Sequence, residues 1–337
     1  MKMKVLIVKL SAFGDIIHAL PALDAILARP EVQEVHWLVD ARFAFVTEVL
    51  PKQVKVHQIA LKGKTPLQAI QNTVKKLRKE QFDLVFDLQG LIKSAVLARL
   101  ICPRVYGFDR TKIREKPASW LQTSVPFHPN DINIAQQCLR IAQAPWSKGT
   151  AIQAVDYIAP HISREFEAVL PQGLEQAMLQ QKAVILNVGG SFATKELPDN
   201  TWKQVAKALL DKDMLPVWCW GNAAEQAKAT RLASCGGFLL PQRLDMPQLC
   251  NMFRLAYATV AADTGILHLA SALGTPTISF WGPTPRQRNA PHAKTDQYVE
   301  SNPHCGPCIQ KTCANFICMD MIQAAKIMQC IENVRFL

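Results

Sequence analysis

Apolar runs of strand length alternate with helical patterns along most of this chain, and that alternation constrains its fold more than any other feature. Val5 to Val8, Val35 to Val39, Val54 to Ile59 and Leu84 to Leu88 read as strands, with helices from Ala19 to Leu27 and Ala69 to Lys79 between them. Strands joined through helices pair in parallel. The pattern restarts after residue 180. Ala183 to Val188, Leu215 to Trp220, Ala258 to Ala262 and Pro276 to Phe280 read as strands, and helices start at Thr201, Ala223 and Ile266. Two doubly wound α/β domains follow, and 337 residues suit two cores of roughly 150 residues each.

Pro145, Pro160 and Pro171 stand among polar residues, which places the linker near residues 150 to 160. The expected division is an N-terminal domain 1–155, a C-terminal domain 156–319, and a terminal helix at 320–337 that packs back on the first domain. No apolar stretch reaches the ~18 residues of a membrane span, and Lys9 interrupts the first run. No small-residue cleavage site follows that run, so the expectation is a cytoplasmic globular protein.

Net charge is +11, and its distribution along the chain is informative. Residues 1–150 hold 22 Lys and Arg against 12 Asp and Glu, whereas residues 151–337 hold 16 against 15. Either the first half meets something anionic or its surface is merely solvated and basic. The run Lys75-Lys76-Leu77-Arg78-Lys79 reads as a solvated helix face. A nucleic-acid partner is disfavoured, because few aromatic residues interleave with the basic ones.

Ligands of doubly wound folds gather at the carboxyl ends of strands. Ser11 to His18 follows the first strand with one glycine, Gly14, and then Asp15. An acid would repel a phosphate on that turn. The residues alone leave two roles for Asp15, helix cap or general base. Asn187-Val188-Gly189-Gly190-Ser191 ends another strand, with Lys195 beyond it, and these can surround phosphate oxygens. Trp218-Cys219-Trp220-Gly221 leads to Glu225, which can accept from ribose hydroxyls or stand solvated. Asp263-Thr264-Gly265-Ile266-Leu267-His268 opens a helix: Asp263 or Thr264 can cap it, Gly265 allows close approach to its N–H groups, and His268 faces either a phosphate or the core.

Six of the ten cysteines, Cys102, Cys138, Cys219, Cys235, Cys250 and Cys330, are scattered in apolar or helical surroundings and read as buried thiols. Cys305, Cys308, Cys313 and Cys318 cluster. Their spacing suits a structural zinc or iron, free thiols suit it equally, and disulfides come third in a reducing compartment.

The order of these motifs resembles the bacterial heptosyltransferases, glycosyltransferases with two Rossmann-like domains facing a cleft (the GT-B type). Phe280-Trp281-Gly282-Pro283-Thr284 with Asp263-Thr264-Gly265 and His268 resembles their C-terminal half. The stretch from Val8 to Leu23 resembles their opening motif, and Asp87-Leu88-Gln89-Gly90-Leu91-Ile92-Lys93-Ser94 that of the members adding the first heptose.

The resemblance implies ADP-heptose as donor, the Kdo region of lipid A as acceptor, no cofactor required for catalysis, and peripheral contact with the cytoplasmic face of the inner membrane. It makes Asp15 the base and assigns Lys195 to the departing ADP. Gly14, Gly190, Ser191, Glu225, Asp263, Thr264, Gly265 and His268 would line the donor, and Lys64, Lys93 and Arg114 the acceptor. Two other readings share the architecture: a heptosyltransferase acting on a protein, and a nucleotide-sugar epimerase.

Overall fold

The computed structural model describes residues 2–62, 65–147 and 153–334, so Lys64 lies outside the described residues. The chain divides into two compact units, Met1–Arg164 and Glu165–Leu337. In the first, six parallel strands are β1 Met3–Val8, β2 Val32–Asp40, β3 Lys55–Ile59, β4 Leu84–Asp87, β5 Val105–Gly107 and β6 Thr123–Ser124, ordered 3-2-1-4-5-6. The second holds β7 Lys182–Asn187, β8 Met214–Cys219, β9 Phe238–Leu239, β10 Ala258–Ala262, β11 Thr277–Trp281 and β12 Asp296–Glu300, all parallel. Its order, 9-8-7-10-11-12, repeats the first topology. Each sheet therefore reverses its winding at one pair of neighbours, β1/β4 and β7/β10, and a crevice opens beyond the strand ends at such a point.

The central strands are buried along their length, as parallel strands covered by helices must be. Trp37 in the first unit and Trp202, Trp218 and Trp281 in the second are fully buried. Trp202 meets Phe280 edge-on at 5.8 Å, joining the helix Asp199–Leu210 to β11.

The division falls after Arg164, later than the prolines suggested. Residues beyond the first unit's last helix stay bound to it: Val155 N–H donates to Asp131 Oδ1 (3.0 Å), Gln136 Nε2 donates to Val155 O (2.7 Å), and Arg164 Nη1 donates to Glu48 O (2.5 Å). The helix Ala324–Asn333 buries Ala324, Ile327, Met328 and Ile331 in the core of the second unit, against the helix Asp199–Leu210 and β12. Its apolar face is thus spent in that core. Cys102, Cys138, Cys219 and Cys250 are buried as expected, while Cys235 and Cys330 are half-buried. Among the described residues no helix is long and apolar enough to cross a membrane.

Candidate active site

In the first unit the chain leaves β1 through Lys9, Leu10, Ser11 and Ala12 and enters the short helix Phe13–His18. Gly14 lies in its first turn and Asp15 follows, half-buried. Asp15 Oδ2 accepts from the Ala12 N–H at 3.1 Å, so the carboxylate does not stand at the N-cap but, from the third helical position, reaches back to satisfy the cap residue's own N–H. Oδ1 takes part in no hydrogen bond among the described residues. One oxygen fixes the side chain and the other keeps its acceptor capacity.

The loop that carries Asp15 is braced from β4, the strand beside β1. Leu10 and Ser11 N–H both donate to Gln89 Oε1, at 2.9 and 3.0 Å. Gln89 is fixed in turn by Asp87, whose Oδ1 accepts from the Gln89 and Gly90 N–H groups (3.0 and 3.3 Å) and whose Oδ2 accepts from Ser94 Oγ (3.0 Å). Gly90 has φ +70, a conformation that suits glycine, and Phe108 packs against it. Asp87 is completely buried, and burial pushes its carboxyl up to about 6 in spite of those hydrogen bonds. Lys9, also buried, donates from Nζ to Leu88 O at 2.6 Å.

Lys93 is exposed on the first turn of the helix Ile92–Ile101, which follows β4. Glu115 Oε2 accepts from the Ile92 N–H at 2.7 Å, so the exposed Arg114 is anchored beside that helix start. Asp15, Lys93 and Arg114 therefore belong to loops or helix starts at the carboxyl end of the first sheet.

In the second unit Lys195 ends the short turn Ala193–Lys195 after β7. Its Nζ donates to Asp263 Oδ2 (2.7 Å) and Asp263 O (2.9 Å), with both residues only 8 % exposed. His268 Nε2 lies 3.3 Å from Asp263 Oδ1. Burial alone would raise the Asp263 carboxyl; the His268 hydrogen bond and the Lys195 charge outweigh it and hold the group far below the usual carboxylate range.

Asp263 is thus engaged by Lys195 and His268 and does not cap the helix that follows. Thr264 occupies the cap position of the helix Gly265–Ala272, but its hydroxyl makes no capping bond; Oγ1 is buried with no hydrogen-bond partner among the described residues. First-turn N–H groups without a side-chain cap, at the positive end of the helix dipole, suit an anion. Gly190 and the exposed Ser191 lie on the neighbouring loop. Glu225 reaches back across it: Oε2 accepts from the Gly221 N–H at 2.7 Å, and a Cβ at Gly189 would fall 2.3 Å from Glu225 Cδ. Lys195, Gly190, Glu225, Asp263 and Thr264 thus cluster beyond β7, β8 and β10.

A model of glycosyltransferase family 9 (heptosyltransferase) matches residues 70–317. The chain belongs to that family. It is 32% identical over 327 residues to the lipopolysaccharide heptosyltransferase 1 of Pseudomonas aeruginosa, covering 92% of this chain and 87% of the relative. To the Escherichia coli K12 protein of the same name it is 30% identical over 300 residues, 84% of this chain and 88% of the relative. Its fold resembles that of E. coli heptosyltransferase WaaC with ADP, with a TM-score of 0.78 at 23% identity over 98% of this chain and 100% of the other.

In this glycosyltransferase the four clustered cysteines line one recess under Gly282 and Pro283, with Cys305, Cys308 and Cys313 exposed and Cys318 half-buried. Thr194 Oγ1 donates to Gln310 O at 2.7 Å, tying the cysteine loop to the Lys195 turn. Among the described residues no three His, Cys, Asp or Glu side chains converge as ligands for a metal ion. The zinc or iron reading gains no support here, and the free-thiol reading, which the spacing allowed equally, describes these four residues. Residue types at metal-like spacing had allowed a metal centre, but spacing does not fix where a loop points its side chains.

Asp87 and Gln89, both within residues 87–94, brace the Asp15 loop, a role that residue type alone does not reveal. The available signal was a buried-type acid ending a strand, two residues before an amide.

Proposed function

We propose that this glycosyltransferase moves heptose from ADP-heptose to the Kdo region of lipid A, inverting the anomeric carbon. Three things support the reading: the family, the names of its relatives, and the uncapped helix start at Gly265 with Lys195 beside it, which is the observation that carries it. The helix N–H groups, Thr264 Oγ1 and Lys195 would receive the diphosphate. Lys195 gives two of its three donors to Asp263 and keeps one for a phosphate oxygen. Glu225 would accept from the ribose, and Asp263 and His268 would meet heptose hydroxyls or phosphate.

Asp15 Oδ1 would take the proton from the acceptor hydroxyl as its oxygen bonds to the anomeric carbon. The bond from that carbon to the diphosphate breaks on the opposite face, and ADP leaves with the electron pair. Charge developing on the leaving group is met by Lys195 and the positive end of the helix dipole. Lys93 and Arg114 would hold the carboxylates and phosphates of the acceptor, a task that suits a guanidinium well. The acceptor's acyl chains would hold it in a membrane, which supports peripheral binding of the protein, at the cytoplasmic face of the inner membrane in this reading.

The test is ADP release. Incubation with ADP-heptose and Kdo-lipid A should give acceptor-dependent ADP and a heptosylated lipid. Release without acceptor would indicate an epimerase, and release that depends on a protein would indicate a protein heptosyltransferase; either result overturns the assignment.

A further inference from the structure

The helix Ile92–Ile101 turns Ser94, Ala95, Leu97, Ala98 and Ile101 inward. Its other face shows Ile92, Val96 and Leu100, spaced by four residues and all exposed. Side chains at that spacing form one stripe along a helix. Against this helix packs the turn Lys116–Leu121, joined to it by the Glu115 carboxylate on the Ile92 N–H. That turn carries Trp120, which is 75 % exposed. Single exposed apolar residues are ordinary, but three aliphatic side chains and an indole on two packed elements call for a partner.

The charges around them are nearly all of one sign. Lys93 and Arg99 share the exposed face of the helix, and Arg110, Lys112, Arg114 and Lys116 lead into the Trp120 turn. The one acid within these two segments is Glu115, already committed to the Ile92 N–H. Aliphatic residues and Trp ringed by Lys and Arg match an anionic bilayer, whose headgroup region accepts indole and whose phosphates attract cations. A second copy would bring the same positive charge and be repelled. Nucleic acid would gain nothing from the aliphatic stripe, since bases stack on aromatic rings.

We propose that this face of the first unit docks on an anionic lipid surface, with Trp120, Ile92, Val96 and Leu100 entering the headgroup layer and the surrounding basic side chains meeting lipid phosphates. The inference rests on the lipid-linked acceptor proposed above and deepens it by naming the surface that meets the membrane.

The experiment is co-sedimentation of the full chain with vesicles of phosphatidylcholine, alone or mixed with phosphatidylglycerol, without donor or acceptor. Binding should require phosphatidylglycerol. Arg99→Gln, Lys112→Gln and Lys116→Gln should each weaken it about fivefold, and Trp120→Ser should weaken it on the order of tenfold. Brominated lipid should quench tryptophan emission in the parent and much less in Trp120→Ser. All four changes are at exposed positions, so thermal melting should match the parent, as should transfer to a deacylated acceptor.

Equal binding to neutral vesicles, or binding unaffected by these substitutions, would overturn the proposal. So would a Trp120→Ser protein that differs from the parent only in oligomeric state, or displacement of the parent from vesicles by an oligonucleotide through the same residues. A parent that binds anionic vesicles yet transfers nothing to Kdo-lipid A would leave the docking surface standing and sink the acceptor assignment instead.

Discussion

Lys195 Nζ lies 2.7 Å from Asp263 Oδ2, tying the turn after β7 to the loop after β10 across 68 residues of sequence. Both groups are almost removed from solvent. Neither charge can be lost alone without stranding the other in a poorly hydrated place.

Lys195→Ala should therefore show two separable effects. Removing a cation from the leaving group should lower kcat by about 10²- to 10³-fold. Leaving Asp263 buried without it should cost about 3–5 kcal/mol of stability. Chemical denaturation of Lys195→Ala, Asp263→Asn and the double variant forms the cycle: the double variant should be more stable than the sum of the single losses, and strict additivity would show that the pair is not coupled.

Gly189→Ala tests the proposed nucleotide side. The new Cβ would fall 2.3 Å from Glu225 Cδ and force the carboxylate off the Gly221 N–H. Lost hydrogen bonds to a charged acceptor are worth about 1.5–3 kcal/mol. The Kd for ADP, measured by titration calorimetry, should rise by about 10- to 100-fold, with a smaller change in kcat at saturating donor.

Asp87 gives a pH dependence of defined sign. Its carboxyl titrates near 6 when folded, against an ordinary 3.8. Between these values the folded protein keeps a proton that the unfolded chain has released, so stability falls as pH rises from about 4 to 6 and is level above that. The shift corresponds to about 3 kcal/mol. Asp87→Asn keeps an acceptor for the Gln89 and Gly90 N–H groups and cannot titrate, so in denaturant melts the parent's stability relative to the variant's should fall between about pH 4 and 6; a difference that does not change with pH would contradict this.

His57 acts in the opposite direction. Burial, the adjacent His36 at 2.8 Å and nearby Lys76 hold its imidazole down at about 4, against an ordinary 6.5. The unfolded chain takes up a proton below 6.5 that the folded protein refuses, so this pair costs stability as pH falls from 6.5 toward 4. Relative to the parent, His57→Gln should gain stability on that descent, as read by the difference in melting temperature at each pH. A difference that stays level or falls would show that the pair does not set the trend.

Most of the architecture was legible in the sequence. Buried strands such as β1, β7 and β10 stand out as apolar runs between helices, and their alternation dictates parallel pairing. The strands β5, β6 and β9 did not stand out, because two or three residues give too little period to recognise, and β12 did not because its Asp296-Gln297-Tyr298-Val299-Glu300 is mostly polar and only partly buried. The site was legible in parts. Gly190, Lys195, Glu225 and Asp263 announce themselves at strand ends, but their mutual contacts depend on strand order, which places β7 between β8 and β10. For the same reason Gln89 gave no sign of its role: it braces the Asp15 loop only because β4 lies beside β1. The cysteine spacing left metal and free thiols equally open, because intervals in the chain do not fix where a loop points its sulfurs, and among the described residues no ligand cluster forms.

The most direct test of the account is the Asp15→Asn protein. Asparagine can still accept from the Ala12 N–H, so that hydrogen bond survives and melting should stay within about 1 kcal/mol of the parent. It cannot take a proton at neutral pH, so ADP release with ADP-heptose and Kdo-lipid A should fall by about 10²- to 10⁴-fold. A folded Asp15→Asn protein that releases ADP within a few-fold of the parent rate would contradict the account.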